Sequence, residues 1–218
     1  MSDESDSGGV KDVLPVKRRV LNWFGGLGLV GFLVGLVAPL KDLAIAAKGK
    51  KKIELPGQRL VLASEHTPKG SGTTYSRGEP VTQDMLEAPE SVLAAPEDLL
   101  GNGDYIIRLH RLEEDQLQQP TNLDWTDQGF VAYSAVCTHL GCTVGWEESD
   151  EKPSNVSPEQ QRGASLLCPC HLSSFNPYQG AVVMGGPAPR PVPQIGIKVN
   201  KEGTIELTTE FEGPIGGG

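Results

Sequence analysis

The chain has 218 residues and a formal net charge of −9 at pH 7, which argues against a nucleic-acid partner, since that role needs a basic face. Apolar residues make up 38%, enough for the core of one ordinary domain plus a tail or anchor. With 27 Gly and 17 Pro, about a fifth of the chain, the composition favours a loop-rich, strand-based domain over a helix bundle.

Residues 20–40 (VLNWFGGLGLVGFLVGLVAPL) carry no charge. About 20 helical residues cross a hydrocarbon core of about 30 Å, so this run is expected to be a transmembrane anchor. A signal-peptide apolar region is the rival reading, with Ala44-Ile45-Ala46 as a possible cleavage site. Gly31 and Gly35 make a small-xxx-small step that lets another membrane helix approach closely. Lysines and arginines flank the run on both sides, so charge counting does not set its orientation. Lys17-Arg18-Arg19-Val20-Leu21 resembles the twin-arginine export signal, an address for proteins that cross folded. The Lys- and Ala-rich residues 41–52 (KDLAIAAKGKKK) read as a tether or helical extension.

Beyond residue 53 short apolar runs alternate with turn signals. Residues 53–63 read as a strand broken near Pro56-Gly57, 67–81 as loop, and 82–100 as room for a short helix interrupted by Pro89 and Pro96. Strands follow at 104–112, 129–136, 164–168 and 180–185, and 194–199 with 204–208 make a hairpin. The polar residues 147–164 read as a surface loop, and the closing Gly-Pro-Ile-Gly-Gly-Gly as disordered. This is an all-β domain of antiparallel strands. His66 and His110 are expected at the surface or in hairpins, and Glu113-Glu114-Asp115 in a solvated loop.

The four cysteines fall in two tight pairs, each with a histidine beside it: Cys137-Thr138-His139-Leu140-Gly141-Cys142 and Cys168-Pro169-Cys170-His171. Clustered cysteines of this kind read as a site. Each box follows a strand, and a tight turn there can aim one thiolate and one imidazole at the same centre. The donors admit an iron–sulfur cluster with mixed ligands, a Cys₂His₂ zinc site with two cysteines spare, or two disulfides that leave both histidines idle.

Both boxes, with the following Gly185-Gly186-Pro187-Ala188-Pro189-Arg190, resemble the Rieske protein family over roughly residues 129–199. The resemblance implies a Rieske-type antiparallel β-sandwich with a cluster-binding subdomain, plus one N-terminal transmembrane helix. The implied layout is a cytoplasmic N-terminus with the twin-arginine signal at 1–19, the anchor at 20–40 and a hinge at 41–52. A base β domain then comprises 53–131 and 193–213, the cluster-binding subdomain spans 132–192, and a disordered tail covers 214–218. The implied cofactor is a [2Fe–2S] cluster, with Cys137 and Cys168 on one iron and His139 and His171 on the other. Cys142 and Cys170 match the disulfide pair of the respiratory branch, and disulfides persist in oxidising compartments. Ser173 aligns with a serine that donates a hydrogen bond to a bridging sulfide. Phe175 stands where high-potential members carry a tyrosine, so a lowered potential suited to menaquinol is expected. Leu140 and the Pro187–Pro191 loop are expected to form an apolar rim that shields the cluster.

The implied function is that of a membrane-anchored Rieske subunit of a quinol–cytochrome c oxidoreductase. Such a subunit takes an electron, coupled to a proton at His171 or His139, from quinol and passes it to a cytochrome c-type haem. Its partners are a cytochrome b-type membrane subunit, a c-type cytochrome and quinol. The catalytic unit is the complex, and the head lies on the extracytoplasmic side of the cell membrane. The alternative is the small Rieske subunit of an arsenite oxidase, relaying electrons from a molybdenum subunit.

Overall fold

The computed structural model describes residues 53–148 and 164–217. The expected anchor, the export signal and the 41–52 tether lie outside those residues, and among the described residues no helix is long and apolar enough to cross a membrane. The chain divides into two units, of which the second, Glu54–Gly218, holds the described strands.

Among the described residues ten strands form two sheets, and every strand pairing is antiparallel. The larger sheet has the order β1 (Leu60–Leu62), β2 (Glu90–Pro96), β3 (Ile107–Arg111), β4 (Phe130–Ser134), β9 (Gln194–Val199) and β10 (Ile205–Phe211). It curls until its edges meet: Arg59 bridges Glu206, and the Leu207 N–H donates to the Gln58 carbonyl at 2.9 Å. The smaller sheet runs in chain order through β5 (Gly145–Glu148), β6 (Ala164–Cys168), β7 (Ser173–Asn176) and β8 (Val182–Gly185).

Strand alternation sorts the side chains into two cores. On β3, Ile107 and Leu109 join the first core, lined also by Leu60, Val92, Ile195 and Ile205. Arg108 and His110 therefore face the opposite way. On β4 all five residues are buried. Phe130 and Ala132 enter the first core, whereas Val131 and Tyr133 enter the second, beside Cys137, Leu166, Cys168 and Phe175. A strand covered on both faces has little freedom, and its continuation delivers Cys137.

The all-β reading holds, with local corrections. The short helix expected within 82–100 is strand β2, framed by one-turn 3-10 helices at Gln83–Met85 and Glu97–Leu99. Its Ala, Leu and Glu favour helix, but β2 has partners on both sides, β1 and β3, and pairing overrides propensity. Of the loop expected at 147–164, Glu147 and Glu148 belong to β5 and Ala164 to β6, and the rest lies outside the described residues. His110 is fully buried, not at the surface. The segment expected as a disordered tail is placed as far as Gly217, and the Gly216 carbonyl accepts a hydrogen bond from Arg190 at 2.6 Å.

Candidate metal centre

The first cysteine box lies just beyond β4 and folds as a tight turn. The Cys137 N–H donates to the Cys142 carbonyl at 2.8 Å, and the Gly141 N–H returns to the Cys137 carbonyl at 3.0 Å. Gly141 sits at φ +79°, a conformation costly for a side chain with a Cβ. The second box is the hairpin turn between β6 and β7, where Cys168 faces Ser173 in register and the Leu172 N–H donates to the Cys168 carbonyl at 3.0 Å. A disulfide between Cys142 and Cys170 joins the two turns.

The two remaining cysteines, Cys137 and Cys168, are free and buried. Burial pushes the Cys137 thiol above its ordinary pKa, and the adjacent Cys168 pushes the same way. The His139 N–H and the Ser173 hydroxyl oppose this by favouring the thiolate. Two buried thiols in contact resist double ionisation unless a cationic centre sits between them. The imidazoles of His139 and His171 stand edge to face with ring centroids 4.7 Å apart. His139 Nδ1 is buried without a hydrogen-bond partner, an unmet polar atom of the kind a metal satisfies. The sulfurs of Cys142, Cys168 and Cys170 also lie within 4.8 Å of one another. Two of these are committed to the disulfide, so the usable soft donors are Cys137 and Cys168. A pair of thiols and a pair of imidazoles, one of each on either turn, suits a mixed-ligand iron–sulfur cluster.

The surroundings are built from a third segment. The Ala188 N–H donates to Ser173 Oγ at 3.1 Å, and Thr138 Oγ1 donates to the Arg190 carbonyl at 2.6 Å, so the proline-rich loop is fastened to both turns. Gly186, at φ +82°, lies flat on Ser173, where a Cβ would press on the Ser173 backbone and sit 2.7 Å from the Leu172 carbonyl oxygen. Phe175 is buried in the same core as Cys137 and Cys168. Leu140 is 68% exposed, at the rim of the site. Leu172, 67% exposed, mirrors it and was missed in the sequence. The signal was present, because each box carries the same dipeptide, His139-Leu140 and His171-Leu172. His66 instead bonds the Met85 carbonyl through Nε2 at 3.1 Å.

Comparison with known proteins agrees with this geometry. The family model of the Rieske [2Fe-2S] domain matches residues 90–196. The chain is 32% identical to the cytochrome bc1 complex Rieske iron-sulfur subunit of Streptomyces lividans, over 74% of this chain and 92% of that protein. It is 31% identical to the subunit of that name in Streptomyces coelicolor, over 95% of this chain and 55% of the relative, and so spans about half of that longer protein. It is also 35% identical to a putative respiratory nitrate reductase subunit Rieske of Haloferax mediterranei, over 65% of this chain and 58% of that one. The chain belongs to the Rieske family of iron–sulfur proteins, and its cofactor is a [2Fe–2S] cluster.

Proposed function

We propose that Cys137 and Cys168 bind one iron of the cluster and His139 and His171 the other, and that the chain is the electron-transfer subunit of a cytochrome bc-type quinol–cytochrome c oxidoreductase. The observations that carry the ligand set are two free buried thiols, one on either turn, two facing imidazoles on the same turns, and the disulfide that joins the turns. The identity to Rieske subunits of bc1 complexes supports the assembly. In this reading residues 1–19 are cytoplasmic, 20–40 anchor the chain in the cell membrane, 41–52 form the hinge, and the head lies on the extracytoplasmic side. A cytochrome b-type subunit and a c-type cytochrome are the partners.

When bound, the cluster supplies a one-electron acceptor whose potential is raised because neutral imidazoles replace two thiolates. The protein's part is to present it. His171 is exposed, so a quinol hydroxyl can hydrogen-bond a nitrogen of its ring and lose its proton there; His139, half-buried, is the second candidate. Leu140 and Leu172 flank the two histidines and exclude water when a partner docks. The disulfide keeps the two turns together while partners exchange. Menaquinol is the proposed donor, because Phe175 lacks the hydroxyl that a tyrosine would bring to the site.

Spectroscopy of the purified chain tests the centre. A rhombic EPR signal on reduction is expected, and its loss on replacing Cys137, His139, Cys168 or His171; a colourless zinc protein would overturn the assignment. A second reading, a Rieske subunit serving a nitrate reductase, is favoured by the Haloferax mediterranei relative. Affinity purification of the full chain separates the two: cytochrome b supports the first, and a nitrate reductase subunit the second.

A further inference from the structure

The two cluster turns are not held alike. The 168–173 turn is bounded by β6 and β7 and covered by Gly186 and Ala188. The 137–142 turn follows β4 and is tied to the second turn by the Cys142–Cys170 disulfide, while its tip at His139–Leu140 meets a segment from elsewhere in the chain. Beyond β10, residues 214–217 return to that tip. Gly217 lies so close to the His139 carbonyl that a Cβ on Gly217 would overlap its oxygen, and a Cβ there would also come within 3.3 Å of the Leu140 nitrogen. Gly216 packs on the Val136 side chain.

Arg190 links the pieces. Its backbone carbonyl accepts from the Thr138 hydroxyl at 2.6 Å, while its Nη2 donates to the Gly216 carbonyl at 2.6 Å. Among the described residues no carboxylate pairs with its guanidinium. One residue thus bonds the first turn through its backbone and the strap through its side chain. A cavity of about 630 Å³ opens between strap and turn, lined by Asp104, Ile106, Val136, His139, Leu140 and Ile215 among others.

We infer that Arg190 and residues 214–217 form a strap that positions His139, acting on the first cluster turn and not on the second. Arg190 is a positioning residue here: it holds the backbone on either side of His139 through Thr138 and Gly216. The guanidinium also places a positive charge beside that turn, which favours the more negative, reduced state of the site.

The assignment rests on His139 being a cluster ligand, but amide exchange of the turns does not, so the two can fail separately. The experiment uses the full chain carrying its cluster, with three variants: Arg190→Gln, Arg190→Lys, and a stop after Gly213. Exchange in peptides covering 136–142 is expected to rise at least tenfold with Arg190→Gln and with the truncation, while peptides covering 169–175 keep their rates. The midpoint potential is expected to fall with Arg190→Gln, and Arg190→Lys is expected to restore the potential more than the exchange protection, since lysine keeps the charge without the planar fork. Unchanged exchange in 136–142 overturns the strap. Equal loosening of both turns overturns its selectivity, and a potential indifferent to Arg190→Gln overturns the electrostatic role.

Discussion

Two side chains on β7, Ser173 and Phe175, make opposite contributions to the site. The Ser173 hydroxyl accepts the Ala188 N–H at 3.1 Å, which leaves its own proton free for the neighbouring sulfur of Cys137. Hydrogen bonds to a sulfur stabilise the more negative, reduced state and so raise the potential. Ser173→Ala is expected to lower the midpoint by about 60 mV or less, taking one bond of ~1 kcal/mol and 59 mV per tenfold change. It also strands the Ala188 N–H. Phe175 is wholly enclosed in the core that holds Cys137 and Cys168, so a hydroxyl added by Phe175→Tyr enters that core and not water. That variant is expected to raise the midpoint by a similar amount. Redox titration followed by EPR checks both, and shifts of the same sign would refute this account of β7.

At the scale of elements, the site is two turns whose sequences are local and whose meeting is not. The boxes and their ligand types were readable because each turn's chemistry sits within six consecutive residues. β6 and β9 were readable too, at 164–168 and 194–199, since their apolar runs stand between clear turn signals. β5 was not: Gly145–Glu148 carries two glutamates, and its strand character comes from pairing with β6, with Trp146 facing Leu166. β7 escaped because Ser173–Asn176 reads as the tail of a metal box, although all four of its residues are buried. The placement of residues 214–217 was equally hidden, because glycines carry no pattern and the contact is made by backbone. The Cys142–Cys170 bridge joins turns 28 residues apart, and a crosslink of that span is worth about 2–4 kcal/mol. Replacing both cysteines by alanine is expected to release the cluster at lower temperature while leaving the larger sheet folded. Bleaching of the cluster absorbance against far-UV circular dichroism measures the two separately, and coincident transitions at the wild-type temperature would count against the bridge as the clamp.

For the whole molecule, the question is what joins the two sheets. Arg108 Nη2 donates to the Val144 carbonyl at 3.1 Å, Tyr133 donates to the Pro177 carbonyl at 3.0 Å, and Lys69 pairs with Glu148. At the centre lies His110, 0% exposed, with its ring 4.9 Å from that of Trp146 and neither ring nitrogen hydrogen-bonded among the described residues. Burial, and then the nearby Arg108 guanidinium, hold its pKa well below the ordinary 6.5. In the unfolded chain the same histidine takes up a proton near 6.5, whereas in the folded protein it stays neutral until the pH is much lower. Below that value the unfolded state binds the extra proton, so stability is complete above about pH 6.5 and falls as the pH drops, by up to about 1.4 kcal/mol per pH unit. Glu148 and Glu206, both held below their ordinary 4.5, lose their contributions only at lower pH and leave the window between 6.5 and 4.5 to His110. His110→Phe keeps the ring packing against Trp146 and removes the titration. Urea midpoints followed by tryptophan fluorescence at pH 7.5 and 5.5 are expected to differ clearly in the wild-type chain and much less in His110→Phe. An equal drop in both proteins would place the acid sensitivity elsewhere, and would leave His110 as packing between the sheets and nothing more.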